Sequence, residues 1–155
     1  MRAKGRQSRD RRVPSEEMVA ESPSPQSPGD TTGQGRLAAF RKAEELVRRR
    51  PLDALALLKP LLDSDPDKPS VQLLAGRAYF HSAQLNRAER AFTKVVELDP
   101  SDHYARFVLG RTLQRLGRLI EARAQLRMAT AMNPVPEYQD ALGEVSARVA
   151  LSRDD

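Results

Sequence analysis

A 34-residue recurrence constrains this chain more than any other feature it carries. Gly76-Arg77 returns as Gly110-Arg111, and Leu85, Ala88 and Pro100 return as Leu119, Ala122 and Pro134. Five identities in one register are few by count, but their chemical types are informative. Two helices can approach closely only where one presents no bulk, which glycine and alanine provide, and a proline ends a helix and sets the angle to the next. A helix pair of this length cannot bury its apolar face alone, so copies of it must stack, and about three are needed for stability.

Apolar residues fall at helical spacing from Leu37 onward, in a background rich in Ala, Leu, Arg, Glu and Gln. Breakers recur between these runs at Arg50-Pro51, at Asp65 to Pro69, at Asp99 to Asp102 and at Asn133 to Pro136. A proline biases the residue before it away from the helical region, so each cluster marks a helix boundary. Gly117 and the Ala83-Gln84 stretch mark softer turns inside the repeats. The pattern predicts helices near 37–49, 52–64, 70–82, 86–98, 104–116, 120–132 and 137–151, and leaves little room for strands.

The recurring positions resemble those of the tetratricopeptide repeat, whose pattern is W-x2-L-G-x2-Y, then A-x3-F, then P. Residues 69–102 read Gln72-x2-Ala75-Gly76-x2-Tyr79, then Ala88-x3-Phe92, then Pro100. Residues 103–136 read Arg106-x2-Leu109-Gly110-x2-Leu113, then Ala122-x3-Leu126, then Pro134. Residues 36–68 form a degenerate copy: Ala39-x2-Lys42-Ala43-x2-Leu46, then Ala54-x3-Leu58, then Pro66, with the turn between its helices expected to be one residue shorter. The Trp position never holds Trp. The resemblance, to small bacterial-type members with about three repeats, implies an all-α, right-handed α-solenoid of stacked helix-turn-helix units, about seven helices in all. Residues 137–151 add a last helix with Tyr138, Ala141, Leu142, Val145 and Val149 on one stripe. It either caps the third repeat or dimerises.

Charge separates the rest of the chain from this array. Arg2, Lys4, Arg6, Arg9, Arg11 and Arg12 stand against Asp10 alone, and they account for the whole formal net charge of +5. The Pro-, Ser- and Gly-rich stretch from Glu21 to Gly35 has no apolar period, so residues 1–35 are expected to be a disordered, solubilising tail. Contact with RNA or another polyanion is the alternative function, and only residues 2–12 could supply it. No apolar run approaches the ~18 residues of a membrane span, and no apolar segment follows the basic start, so a cytoplasmic protein without membrane contact is expected. The absence of cysteine excludes disulfides and thiol catalysis.

No constellation of catalytic residues has convincing spacing, and neither an enzyme nor a cofactor is expected. His81 and His103 lack patterned carboxylates, and Asp63-Ser64-Asp65-Pro66-Asp67 lacks the glycine and distal glutamate of a calcium loop, so no metal is expected. What remains is a surface. In the family, first helices line a concave groove. On that basis Leu73, Arg77, Phe80 and His81 form one stripe, and Tyr104, Phe107, Arg111, Gln114 and Arg115 form the next. Aromatic anchors beside bidentate carboxylate binders suit a peptide or partner helix that is both acidic and apolar. The competing reading is internal ion pairing and inter-repeat packing. A chaperone-tail carboxylate clamp is not expected, because Leu74 and Ala39 stand where polar clamp residues would be wanted.

Overall fold

A computed structural model of the chain describes residues 32–154. Seven α-helices follow one another: α1 (Gly33–Leu46), α2 (Pro51–Ser64), α3 (Pro69–His81), α4 (Leu85–Leu98), α5 (His103–Arg115), α6 (Leu119–Met132) and α7 (Pro136–Arg153). There is no strand among the described residues. Each helix packs on its neighbours in the chain, and the odd-numbered helices also touch in sequence, α1 to α3 to α5 to α7. The result is a solenoid with a row of first helices along one side.

The expected tail overlaps the first helix. Residues 1–31 of that tail lie outside the described residues, but α1 begins at Gly33, about four residues before the expected start. Thr32 causes this: its hydroxyl accepts a hydrogen bond from the Gly35 amide at 3.1 Å, an N-cap that satisfies a donor the helix itself cannot. The proline clusters fall at helix boundaries, as expected, and three of their prolines begin the helix that follows. Pro51, Pro69 and Pro136 each occupy the first helical turn, where a missing N–H costs nothing. Pro100 and Pro134 stand after α4 and α6, in the connections.

The repeated glycines and alanines sit where the helices of a pair cross. A Cβ built on Gly76 would stand 2.6 Å from Phe92 Cδ1, and one on Gly110 would stand 2.7 Å from Leu126 Cγ. Ala43, Ala54, Ala88 and Ala122 are fully buried, as are Phe92, Leu58 and Leu126. Tyr79 packs against both halves of the core, the one built on α1–α3 and the one running from α4 to α7. The Trp position has acquired another task. Gln72 Nε2 donates to the Pro66 carbonyl at 2.7 Å, and Arg106 Nε donates to the Pro100 carbonyl at 3.1 Å. Each polar side chain thus ties its helix to the turn that precedes it.

The turns inside the second and third repeats share one geometry. Ala83 and Gly117 both take the left-handed conformation, with φ of 62° and 81°. Gln84 N then donates to Tyr79 O at 2.8 Å and Arg118 N to Leu113 O at 2.9 Å, closing the helix ends. The degenerate copy differs in another way from the one expected. Its connection, 47–50, is one residue longer than 82–84, while α1 ends three residues after Ala43 where α3 runs five past Gly76. The deficit is in the helix and not in the turn.

The last connection is shorter by one residue, so α7 repeats α5 at an offset of 33. Leu142-Gly143 on α7 therefore stands where Leu109-Gly110 stands on α5. Tyr138, Ala141, Val145 and Val149 face the core, whereas a Cβ on Gly143 would meet nothing within 4 Å. The final helix carries the notch of a first helix without a second helix in it.

Candidate binding site

A cavity of about 440 Å³ opens along the row of first helices. Its wall includes Arg77, Phe80 and His81 from α3, and Tyr104, Phe107, Val108 and Arg111 from α5. Arg48 closes it from just beyond α1, Glu137 from the start of α7, and the buried ring of Phe92 lies at its base. Six of the nine residues expected on the groove thus share one hollow.

The other three do different work. Leu73 is half-buried against the core. Gln114 is only 6% exposed, and its amide donates to Glu144 Oε1 at 2.9 Å while accepting from Arg111 at 2.9 Å. Arg115 lies over the Phe80 ring, 4.6 Å from its centroid, and donates to the Phe80 carbonyl at 3.1 Å. Phe107 also departs from expectation. It is 7% exposed because its ring stacks on Tyr138 at 4.5 Å, so it forms wall more than protruding anchor. Tyr104, tilted against Phe107 at 6.3 Å, is the exposed aromatic of the pair.

The two repeated arginines are not equivalent. The residue after the notch reads Glu44, Arg77, Arg111 and Glu144 along the row of first helices. Arg111 meets the acid beside it, with its guanidinium 3.3 Å from Glu144 Oε2. Arg77 stands between Glu44 and Arg111, and it makes no ion pair or side-chain hydrogen bond among the described residues. Arg48 has none either. One step further along each helix the column reads Arg48, His81 and Arg115, so the cavity gathers cations from two adjacent columns. His81 is held below its ordinary value of 6.5, first by partial burial of the ring and then by the fields of Arg48, Arg77 and Arg115.

Arg48 and Glu137 escaped the sequence reading. Register would have found Arg48: aligning Ala43 with Gly76 puts Arg48 on His81. Glu137 required the one-residue slip before α7. A larger hollow, about 810 Å³, lies between α2 and α4 on the second helices. Its lysines are engaged, Lys59 with Asp63 at 3.0 Å and Lys94 with Asp67 at 2.8 Å, and Arg87 donates to Gln84 at 2.8 Å, whereas Arg90 makes no ion pair among the described residues. No group of three or more His, Cys, Asp or Glu side chains that could hold a metal occurs among the described residues. None of the described helices is long and apolar enough to cross a membrane.

Stacked helix pairs with a cavity on their first-helix row define a helical-repeat protein. The chain belongs to the tetratricopeptide repeat family, whose profile matches residues 46–100 and 82–145. Solved structures agree on the fold. The first tetratricopeptide domain of Spaghetti (RPAP3), bound to the HSP90 peptide SRMEEVD, is 22% identical with a TM-score of 0.71, over 77% of this chain and 96% of that one. The Sgt2 domain from Aspergillus fumigatus is 15% identical with a TM-score of 0.72, over 85% and 89%. The Yersinia enterocolitica secretion chaperone SycD, in complex with a peptide of the translocator YopD, is 18% identical with a TM-score of 0.66, over 80% and 98%. Comparison with curated protein sequences gives no match.

Proposed function

We propose that the protein is a non-enzymatic interaction scaffold whose first-helix cavity holds a peptide segment bearing carboxylates and a bulky apolar side chain. The observation that carries this reading is Arg77, a guanidinium on a cavity wall with no acidic partner among the described residues and with another arginine at the same position one repeat away. An arginine so placed costs like-charge repulsion unless a ligand relieves it, and carboxylate is the group whose geometry matches its fork. Phe80 and Tyr104 supply apolar surface beside it. The peptide-bound structures of Spaghetti and SycD support the class of function, since both are tetratricopeptide-type folds with a peptide bound. A terminal-carboxylate clamp is not part of the proposal, because Leu74 is buried in the core.

The test uses the peptide DFEDLE, labelled at its N-terminus with fluorescein and amidated at its C-terminus, and measures anisotropy against the full chain. The wild type binds it and ignores the cationic analogue KFRKLK. Arg77→Glu combined with Arg111→Glu weakens binding at least about tenfold with far-ultraviolet circular dichroism unchanged. Equal binding by wild type and double variant refutes the assignment.

A further inference from the structure

Among the described residues His81 is the one on the wall whose charge can change near neutral pH, and its neighbours make that change consequential. From beyond α1 it faces Arg48. On its own helix it is flanked by Arg77, and its ring meets Phe80 edge-on with centroids 5.7 Å apart. Helix α5 brings Arg111, Tyr104 and Phe107 to the same cavity, and Arg115 over Phe80; from α7 comes Glu137, the only carboxylate on the wall among the described residues. No side chain among the described residues hydrogen-bonds the imidazole. The cavity therefore holds a histidine whose charged form its surroundings disfavour, first by burial and then by the nearby arginines.

We propose that an acidic ligand enters this cavity together with one proton, which the His81 imidazole takes up from solvent, so that docking tightens as pH falls. This rests on the reading of the cavity as a carboxylate site. A ligand carboxylate between Arg77 and Arg48 cancels the positive field that disfavours imidazolium, and an oxygen near the ring favours it outright. The bound state then holds more protons than the free state. By linkage, affinity rises as pH drops through the interval between the free and bound values of His81, with a limiting slope of about tenfold per pH unit for one proton. Above the bound-state value the effect vanishes, because His81 is neutral in both states.

The measurement has a ligand-free arm and a ligand arm. Proton NMR of the free chain follows the two histidines, and His81→Asn assigns their resonances. The His81 ring titrates below 6.5, and titration at or above that value overturns the inference without any ligand. Titration calorimetry with unlabelled DFEDLE, acetylated and amidated, then compares about pH 8 with about pH 5.5. The wild type tightens by roughly three- to tenfold and takes up protons, detected as a heat that depends on the buffer; His81→Asn loses both effects. A pH-independent affinity in the wild type, or a pH dependence kept by His81→Asn, overturns the proton linkage and leaves the carboxylate site standing. A peptide that binds at neither pH overturns the site itself, and the linkage with it.

Discussion

Gly76 lies so close to the ring of Phe92 that an added methyl would sit 2.6 Å from Cδ1 and 3.0 Å from Cζ. Phe92 is fully buried at the base of the first-helix cavity, so the added methyl would force its ring off its packed position. Gly76→Ala is therefore expected to destabilise the fold by about 1–3 kcal/mol, despite alanine's better helix propensity. Gly110→Ala follows suit, since its Cβ would also meet the Ala122 carbonyl at 3.3 Å. Gly143→Ala goes the other way, with a gain of up to about 1 kcal/mol, because the site is helical and open. Denaturant midpoints for the three variants check the contrast. A loss at Gly143 as large as that at Gly76 would mean that α7 is paired where the structure leaves it bare.

Ala83 holds a left-handed backbone that Gly117 holds one repeat later. The Cβ makes that conformation unfavourable, and glycine removes the clash while giving back some unfolded-state entropy. Ala83→Gly is expected to stabilise by about 0.5–1 kcal/mol, and Gly117→Ala to destabilise by about 1 kcal/mol. Thermal unfolding of the two single variants reads the signs, and a destabilising Ala83→Gly contradicts the turn geometry.

Tyr138 joins α7 to α5 by two bonds of different kinds, a stack on Phe107 and a hydrogen bond between its hydroxyl and His103 Nδ1 at 2.9 Å. Tyr138→Phe keeps the stack and loses about 0.5–1.5 kcal/mol, whereas Tyr138→Ala loses about 3–5 kcal/mol. Burial, then Glu137, Tyr104 and Asp102, push the phenol above its ordinary 10.0. A raised acid titrates late when folded, so its contribution is complete below pH 10.0 and is lost as pH climbs from there through the folded value. Stability measured against alkaline pH should fall less steeply in Tyr138→Phe than in wild type.

Glu144 holds Arg111 in an ion pair at 3.3 Å, which a ligand at the proposed site would have to displace. Glu144→Gln removes the charge and keeps an amide that Gln114 can still meet. Binding of DFEDLE is expected to tighten by roughly two- to fivefold, the scale of one exposed ion pair. Unchanged or weaker binding would show that Arg111 is not a ligand contact.

The repeat was legible because packing at Gly76 and Gly110 tolerates almost nothing else, so the contact writes itself into the sequence at a fixed spacing. Gln72 and Arg106 were not legible as turn ties, since a polar side chain at a Trp position names no partner. The site was half legible. Arg77, Phe80, His81, Tyr104 and Arg111 lie on the cavity as their stripes suggested, but Phe107 and Gln114 are buried by residues of α7. Their burial depends on Tyr138 and Glu144, which reach them only because the last connection is one residue shorter. That same slip hid Glu137 and the Leu142-Gly143 pair from a 34-residue comparison.

Amide chemical-shift mapping tests the central claim most directly, because it locates the ligand without altering the protein. Titrating acetylated, amidated DFEDLE into the isotopically labelled chain should move the resonances of Arg48, Arg77, His81, Tyr104 and Arg111 together, with Leu55, Ala91 and Lys94 on the opposite hollow unmoved. Shifts centred on the α2–α4 hollow, or no saturable shifts on the first-helix row, would contradict it.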